Sequence, residues 1–466
     1  MGCSAWAGQA PYSSQAPDIP ISHQDRVYAA EQFSNTVSVT DPADNRVLGV
    51  IALGDPQPMN LSPLYKGEVL VHGMGFSPDH KTLAVVSIGT NSVSFIDTET
   101  NTVKHKTYVG RSPHEAFYTP DGREVWVTVR GENYVAVLDA ATYAEKRRII
   151  TPAGPGMQIF SPDGQYGYIC SSFNPETVIV STSTHEQVGK VTQASPFCPN
   201  IAASPDGQQV WFTLKDTGKA QVFNARPPFQ LLKTVEIGPI ANHVNFARTA
   251  KGQFAYVTVG GLNQVQVYDT KSFDKVATVD VGKLPHGVWP SGDGTRIYVG
   301  LENDDALAVI DTTSNTLIAT IPIGQAPQAI AYVAHAVEKG PGTENLKPLG
   351  EAAQAAHIRL KSTRTHELVT SVTLFSQGLT QVLQAAATGL EPGKPYTLAL
   401  AEHSDGTGTV QPLAAFMANP AGAAIVNAVG PIRQIVQADQ PATRRYLAII
   451  PGAPGSQNAP VQTQAD

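Results

Sequence analysis

A tight-turn motif returns along the chain at a nearly constant interval, and this interval limits what the chain can fold into. The motif is Ser-Pro-Asp-Gly or a close variant, and its aspartates are separated by 42, 42, 43 and 87 residues. A worn copy, Thr249-Ala250-Lys251-Gly252, fills the longest interval. Proline presets the turn, aspartate bonds nearby amides and glycine supplies the left-handed residue. A period near 42 built from strand patterns is typical of a β-propeller with one blade per repeat.

Each repeat contains segments in which apolar and polar residues alternate, which predicts strands with one buried face. The strand after the turn is found in seven copies, the first at Val27-Tyr28-Ala29 and the last at Ile297-Tyr298-Val299. An inner strand precedes each turn, and a final one, Ala326–Tyr332, has no strand after it. The first repeat, in turn, has no inner strand before it. We therefore expect the final inner strand to complete the first blade and close a ring of seven blades by hydrogen bonds.

These motifs resemble those of the YVTN-repeat β-propellers, a family common among secreted and cell-surface proteins of bacteria and archaea. The resemblance rests on Tyr256-Val257-Thr258, on the Ser-Pro-Asp-Gly turns and on runs such as Asn91-Ser92-Val93-Ser94-Phe95-Ile96-Asp97-Thr98. It covers about residues 25–333 and is specific for the fold rather than for an activity. The Gly-His and Trp-Asp marks of WD40 repeats are missing, so the chain is WD40-like in architecture only.

The remaining segments have different compositions. Residues 1–24 are predicted to be a flexible leader, and 334–355 a linker. Six or seven short strand patterns within 356–450 predict a small β-sandwich-like domain. Residues 451–466 are rich in Pro, Gly, Gln and Ala, which predicts a disordered tail. The fold class is therefore all-β, with a seven-bladed propeller followed by a sandwich-like domain.

Charge and hydropathy limit the partners. The net charge of −7 argues against nucleic acid as a partner. The sequence contains no run of 18 apolar residues, which is the pattern that would predict a transmembrane segment. Gly2-Cys3-Ser4 resembles the end of a bacterial lipoprotein signal, with Cys3 as the lipidated residue; the alternative is an incidental cysteine. With the family resemblance, this favours a periplasmic, cell-surface or secreted protein with a possible lipid anchor.

Four histidines recur where the inner strands begin. His72, His114 and His286 share one repeat position, and His243 is one residue out of register. Because these starts gather around the channel mouth, the four imidazoles are candidates for binding copper or zinc, or for ligating a haem. No Cys-x-x-Cys-His occurs, which excludes covalent c-type haem. The alternative is structural, since Pro-His-Gly at this position is ordinary in the family and the imidazole can bond a neighbouring blade.

Other residues extend the candidate site. Lactone hydrolases also use seven-bladed propellers, and Arg111, Glu115 and Arg130 are candidates for a ligand rim; the alternative for them is a rim salt bridge. Lys215 and Lys219 are expected on the same face, which leaves an anionic ligand open. Cys170 and Cys198 are predicted to lie on the same face of adjacent blades. They are expected to form a disulfide if the protein is exported, and the alternative is two separate buried thiols.

The leading functional hypothesis is an exported binding or scaffold protein that binds a protein or small-molecule ligand on the channel-mouth face. The alternatives are a metal- or haem-dependent oxidoreductase and a lactone hydrolase with its site at the same mouth. The sequence favours no specific cofactor, because this fold carries many unrelated activities.

Overall fold

The repeated turn forms as its residues predict. In the third copy, Ser161 Oγ donates to Asp163 Oδ1 at 2.6 Å, and the same oxygen accepts the Gln165 N–H at 3.2 Å. Gly164 has φ +71°, the left-handed conformation that glycine tolerates. The computed structural model describes residues 19–55, 65–350, 355–377, 380–432, 436 and 443–465.

Seven four-stranded antiparallel sheets follow from these repeats. Blade one contains β1 (Arg26–Glu31), β2 (Thr36–Asp41), β3 (Arg46–Ala52) and, innermost, β28 (Pro327–Val333). Blade two contains β4 (Val71–Phe76), β5 (Thr82–Ser87), β6 (Ser92–Asp97) and β7 (Val103–Tyr108). Blade three contains β8 (Pro113–Tyr118), β9 (Glu124–Val129), β10 (Tyr134–Asp139) and β11 (Glu145–Ile150). Blade four contains β12 (Pro155–Phe160), β13 (Tyr166–Ser171), β14 (Glu176–Ser181) and β15 (Gln187–Thr192).

Blade five contains β16 (Ile201–Ala203), β17 (Gln209–Leu214), β18 (Lys219–Asn224) and β19 (Leu231–Glu236). Blade six contains β20 (Ala241–Thr249), β21 (Gly252–Val259), β22 (Gln264–Asp269) and β23 (Lys275–Asp280), with a 3₁₀ helix, Gly260–Leu262, between its second and third strands. Blade seven contains β24 (Pro285–Pro290), β25 (Arg296–Leu301), β26 (Ala306–Asp311) and β27 (Thr316–Pro322). The innermost strands of successive blades contact each other around a central channel.

The ring closes as the sequence predicts. Strand β28 pairs antiparallel with β1, for example Ala29 with Ile330 and Val27 with Tyr332. The blades pack through a large aromatic side chain in the second strand, which is fully buried in six blades: Tyr28, Trp126, Tyr168, Trp211, Tyr256 and Tyr298. Burying each such side chain contributes on the order of 2 kcal/mol. The seven-bladed propeller is confirmed.

The C-terminal domain is one continuous sheet rather than two packed ones. Its strands are β29 (Ala355–Ser362), β30 (Leu368–Gln377), β31 (Thr380–Ala387), β32 (Pro395–Ala401), β33 (Val410–Met417), β34 (Ala424–Gly430), β35 (Tyr446–Pro451) and β36 (Gln462–Gln464). They run in the order β33-β32-β35-β36-β29-β30-β31-β34, and the two end strands contact each other, so the sheet is nearly closed. Strand β36 joins the two halves because it pairs with both β29 and β35.

Three segments that the sequence predicts to be flexible make ordered contacts in the structure. The tail contains β36, which is buried, so residues 451–465 are not uniformly disordered. In the leader, Ile19 and Ile21 pack against the core of blade one. The predicted linker lies along the propeller: Lys347 pairs with Val50, and Arg26 donates to the Pro341 carbonyl at 2.6 Å. In each case long-range pairing orders a segment whose composition is typical of flexible chain. Within the described ranges, no helical segment has the length and hydropathy of a membrane span.

Asp25 fastens the closure, and its loss tests it. The fully buried carboxylate accepts the Tyr332 hydroxyl at 2.5 Å and the His335 N–H at 2.7 Å, and so ties the start of the propeller to its last strand. We expect Asp25→Ala to lower the free energy of unfolding by about 3 kcal/mol, since it leaves buried donors without an acceptor. Urea denaturation followed by tryptophan fluorescence measures the change.

The matched control is Asp79→Ala, which removes an exposed aspartate from a repeat turn. It should cost about 1 kcal/mol or less. Equal losses in the two variants would contradict a special role for Asp25 in closure.

Candidate functional site

An extra residue in the inner strands aims side chains at the channel mouth. In blade two, Val71 pairs with Ser87 and Met74 with Val85, so three steps on β4 match two on β5. This is a β-bulge, which bends a strand and redirects its side chains. The inner strands of blades three, six and seven carry the same shift. The bulge is therefore a repeat feature, and two residues of each blade sit in it.

The two bulge positions face different spaces. The first position holds His72, His114 and His286, which line a cavity above the channel mouth. The second position holds Glu115 in blade three and His243 in blade six, which line the central channel below. The one-residue offset of His243 thus moves its ring from the cavity to the channel. Glu115, predicted at the rim, also lies on the channel wall.

The four histidines form one arc rather than two separate pairs. Ring centroids are 4.4 Å apart for His114 and His72, 6.4 Å for His72 and His286, and 4.7 Å for His286 and His243. All four rings are buried. Blade one lies between blades seven and two, and it contributes Gln328 rather than a histidine to the cavity lining. The His72 and His286 rings approach each other across this blade.

Burial keeps these imidazoles neutral. It lowers the pKa of His72, His114 and His243 well below the usual histidine value, and neighbouring cations act in the same direction. Nδ1 of His72, Nδ1 of His114 and Nε2 of His243 have no hydrogen-bond partner among the described residues. Neutral rings with free nitrogen atoms are suited to accepting a proton or binding a metal ion.

His286 is oriented by a carboxylate. Its Nδ1 lies 2.7 Å from Glu302 Oε2, and both side chains are buried. Burial disfavours the charged form of Glu302, but its hydrogen bond with His286 and the electrostatic attraction of His286 and Lys215 outweigh burial and lower its pKa. An ionised Glu302 accepts the Nδ1 proton of His286, which leaves Nε2 as the free, basic nitrogen.

Glu115 is a second buried carboxyl beside the histidines. Its Oε2 accepts the Met74 N–H at 3.1 Å, and its Oε1 lies 4.0 Å from His114 Nδ1. Burial raises the pKa of Glu115 to about 8.

Two cations face the same cavity. Arg130 and Lys215 line it, and among the described residues neither lies at salt-bridge distance from a carboxylate, although Glu302 and Asp216 attract Lys215 electrostatically. The Arg130 guanidinium lies 5.5 Å from the Phe173 ring centroid and 5.3 Å from that of Phe197. Burial lowers the pKa of both cations. Both therefore sit partly desolvated in the cavity wall.

The other predicted basic residues lie elsewhere. Arg111 is exposed and pairs with Glu132 at 3.5 Å, the rim salt bridge that was its alternative. Lys219 pairs with Glu236 at 3.0 Å on the outer part of blade five. Neither lines the cavity.

One repeat position supplies four polar groups of the cavity, and only two of them, Arg130 and Lys215, were singled out from the sequence. The residue that directly follows the second strand is Gln32 in blade one, Arg130 in blade three, Lys215 in blade five and Glu302 in blade seven, and all four line the cavity. Aligning the repeats at the ends of these strands, rather than at the turns, would have revealed Glu302.

The C-terminal sheet covers the mouth and forms the upper wall. The cavity has a volume of about 500 Å³, and its upper lining includes Gln384, Met417, Asn419, Ile425 and Asn427. The two domains are joined by an apolar cluster of Ile240, Leu284, Ala386 and Ala423, by stacking of Phe33 on Phe375 with centroids 4.2 Å apart, and by an Asn303–Ser371 hydrogen bond. The sequence contained no signal for this role of the domain.

The cysteines fall where the sequence placed them. Cys170 and Cys198 form a disulfide between blades four and five, with Cα atoms 6.0 Å apart. The flanking residues Phe197 and Pro199 line the cavity, so the disulfide fixes part of its wall. Cys3 lies outside the described residues.

Comparison with known proteins identifies the fold. Hydrazine synthase of Kuenenia stuttgartiensis matches with a TM-score of 0.51 and 19% identity, over 57% of this chain and 92% of that one. A functionally unknown protein of Desulfotomaculum acetoxidans matches with 0.55 and 15%, over 66% and 98%. The periplasmic gluconolactonase of Pseudomonas aeruginosa matches with 0.52 and 19%, over 66% and 99%. No family model and no curated protein sequence matches the chain. Identities this low show a shared propeller fold alone.

The interface that closes the cavity contains a buried carboxyl, that of Asp305. Asp305 Oδ2 lies 3.6 Å from Nε2 of His357, which belongs to β29, and burial raises the pKa of Asp305 to about 8. An aspartate in the unfolded chain titrates near 4. The protonated form therefore stabilises the folded state below that value, and this stability is lost as the pH rises through about 8.

Between pH 6 and pH 8, we expect the wild type to lose about 2 kcal/mol of stability because Asp305 ionises. Asp305→Asn, which resembles the neutral form, should not show this loss. Urea denaturation at several pH values measures the slope. Asp304→Asn is the control, because Asp304 already pairs with Lys283 at 2.5 Å. If Asp304→Asn flattens the pH dependence as much as Asp305→Asn does, the assignment to Asp305 is wrong.

Proposed function

We propose that the protein binds a small carboxylate-bearing molecule in the cavity between the propeller and the C-terminal sheet. The observation that carries this proposal is the presence of two partly desolvated cations in the cavity lining, Arg130 and Lys215, which among the described residues have no carboxylate at salt-bridge distance. A cation removed from water without a counter-ion is unfavourable. An anionic ligand would offset that cost in the bound state.

Arg130 is held in place for this role. Its guanidinium lies near the rings of both Phe173 and Phe197, and its Nε is buried without a hydrogen-bond partner among the described residues. Cation–π contacts fix the plane of the group without using its N–H donors. A fixed guanidinium with free donors matches the two oxygens of a carboxylate.

The rest of the lining favours a ligand that also carries hydroxyl groups. Side-chain amides surround the cavity, from Gln32 and Gln328 below and from Gln384, Asn419 and Asn427 above. The buried Oε1 of Gln384 has no hydrogen-bond partner among the described residues. Amides both donate and accept, as hydroxyl groups do. A volume of about 500 Å³ is in the usual range for a small-molecule site, and we infer a polyhydroxylated carboxylate.

The position of the C-terminal sheet favours a small molecule over a protein partner. The sheet lies directly over the histidine-bearing mouth and supplies the upper wall of the cavity. A protein that docked on this face would have to displace the sheet and expose the apolar cluster around Ile240 and Leu284. Of the two ligand classes that the sequence analysis considered for this face, we therefore favour a small molecule over a protein.

A second candidate function is hydrolysis of a cyclic ester, and the His286–Glu302 pair favours it. With its Nδ1 proton bonded to Glu302, His286 keeps Nε2 available to take a proton from water as a general base. The resulting hydroxide would attack the ester carbonyl, whose oxyanion Arg130 or Lys215 would stabilise. Collapse of the tetrahedral intermediate would break the ring C–O bond, and the leaving alkoxide would take the proton from His286 Nε2. One fold neighbour is the periplasmic gluconolactonase of Pseudomonas aeruginosa. The product would be a hydroxy acid, the ligand class inferred above.

Export is also a proposal, and the disulfide supports it. A buried disulfide between Cys170 and Cys198 is typical of a protein that folds in an oxidising compartment such as the bacterial periplasm. Membership of the YVTN-repeat family and lipidation of Cys3 are proposed on the sequence motifs alone.

The anion site is tested by binding of gluconate, measured by calorimetry and thermal shift on the metal-free protein. Lys215→Met and Arg130→Gln should each weaken binding at least about tenfold, which corresponds to about 1.4 kcal/mol. Without ligand, Lys215→Met should change the stability of the fold by about 1 kcal/mol or less, because it relieves the desolvation of the cation but also removes its attraction to Glu302. Arg111→Gln, outside the cavity, should bind as the wild type does. Equal weakening by Arg111→Gln, or no response of the wild type to any small carboxylate, would refute the site.

The hydrolysis candidate is tested with glucono-1,5-lactone, whose conversion to acid is measured in a pH-stat against the uncatalysed rate. His286→Gln should lower kcat about 100-fold, the usual contribution of a general base, and Glu302→Gln should lower it less. His105→Gln, on the exposed strand β7, is the control. Wild-type turnover no faster than the uncatalysed rate would leave binding as the function.

A further inference from the structure

Three buried ligand-type groups converge where blades two and three meet. His72 and His114 occupy the first bulge position of these blades, and Glu115 occupies the second position of blade three. One nitrogen from each histidine and one Glu115 carboxylate oxygen lie within 4.8 Å of one another, and all three residues are buried. The cluster lies at the boundary between the channel and the cavity, since the histidines line the cavity and Glu115 the channel.

Both histidines of the cluster, His72 and His114, have a ring nitrogen without a hydrogen-bond partner among the described residues. In each ring this atom is Nδ1. Glu115 is held through Oε2 by the Met74 N–H, which turns Oε1 toward His114 Nδ1 at 4.0 Å. Buried polar atoms without partners are unfavourable. A single ion coordinated by all three would satisfy them together.

Gly73 leaves the room for this arrangement. A Cβ atom built at Gly73 would lie 1.9 Å from the His114 carbonyl oxygen and 2.6 Å from Glu115 Oε2. Only glycine at this position lets the Glu115 carboxylate lie beside His72. Blade seven has the same His-Gly pair, His286-Gly287, but there the neighbouring strand presents the Gln328 backbone at 2.6 Å and no carboxylate.

We propose that His72, His114 and Glu115 bind one divalent transition-metal ion, with Zn²⁺ as the fitting case. Two imidazoles and one carboxylate form the ligand set of many catalytic zinc sites, which keep a fourth position open. Tetrahedral zinc needs donor atoms roughly 3.3 Å apart, so the distances between the three donor atoms must shorten by up to about 1.5 Å. The open position would face the cavity, because both histidines line it. His243 and His286 are not ligands in this site, which distinguishes it from a four-histidine ring.

The metal site does not depend on the anion site, and it is tested without any organic ligand. The full chain is treated with a chelator and titrated with Zn²⁺ by calorimetry, with bound metal counted by elemental analysis. We expect one ion per chain. His114→Asn and Glu115→Gln should each weaken Zn²⁺ binding at least about 100-fold, since loss of even an outer-shell partner costs about 10–100-fold. Gly73→Ala should weaken binding while all three ligands remain.

The matched control is His243→Asn, which removes an equally buried histidine from the same arc. It should keep the wild-type stoichiometry and affinity. Co²⁺ gives a second readout: its visible spectrum should show low-symmetry coordination by nitrogen and oxygen in the wild type and in His243→Asn. This readout decides the matter if His114→Asn does not fold. Substoichiometric Zn²⁺ in the wild type, wild-type affinity in Glu115→Gln, or equal loss in His243→Asn would each overturn the proposal.

Discussion

The pairing of β28 with β1 is the interaction on which the rest of the molecule depends. A ring of blades has no free sheet edge only if its last strand hydrogen-bonds to its first sheet, and this pairing joins residues about 300 positions apart, such as Ala29 and Ile330. It also decides where the second domain begins. Because β28 ends on the turn side of blade one, where the His80 ring meets the Ala334 carbonyl at 2.6 Å, the chain must return along the outside of the blade to reach the cavity side. Residues 334–350 make that return, held by Arg26 and Val50.

The β-bulge turns this scaffold into a site. An unbroken inner strand would present one residue to the channel and hide the next in the sheet, whereas the bulge leaves two successive residues outside the ladder. One faces the cavity and the other the channel, as His114 and Glu115 do. Polar groups can therefore be stacked in two layers around one axis. Burial then keeps the imidazoles neutral and Glu115 protonated near neutral pH, so the cluster avoids the cost of unpaired buried charge.

The sequence was informative where the determinants are local and repeated. Turn chemistry and alternation lie within about ten residues and recur in every blade, so the fold, the closure and the common position of His72, His114 and His286 could all be predicted. The nearly closed C-terminal sheet and the strand in the tail could not be predicted from the sequence. Strand β36 is three residues long and is a strand only because it pairs with β29 and β35. The cavity was missed for the same reason: Gln384 and Asn427 reach it from a domain whose placement is set by tertiary packing.

Near-identical blades nevertheless produce an asymmetric site, and this asymmetry gives the cavity a direction. The residue after the second strand is cationic in blades three and five and acidic in blade seven, while the first bulge residue is histidine in blades two, three and seven. The cations therefore belong to blades three and five and the Glu302–His286 pair to blade seven, with Lys215 close enough to Glu302 to lower the pKa of that carboxyl. A carboxylate or ester carbonyl held by Arg130 and Lys215 would be oriented by them relative to the basic nitrogen of His286. The repeated fold determines where these side chains lie, and the residue types at two positions of a blade determine their chemistry.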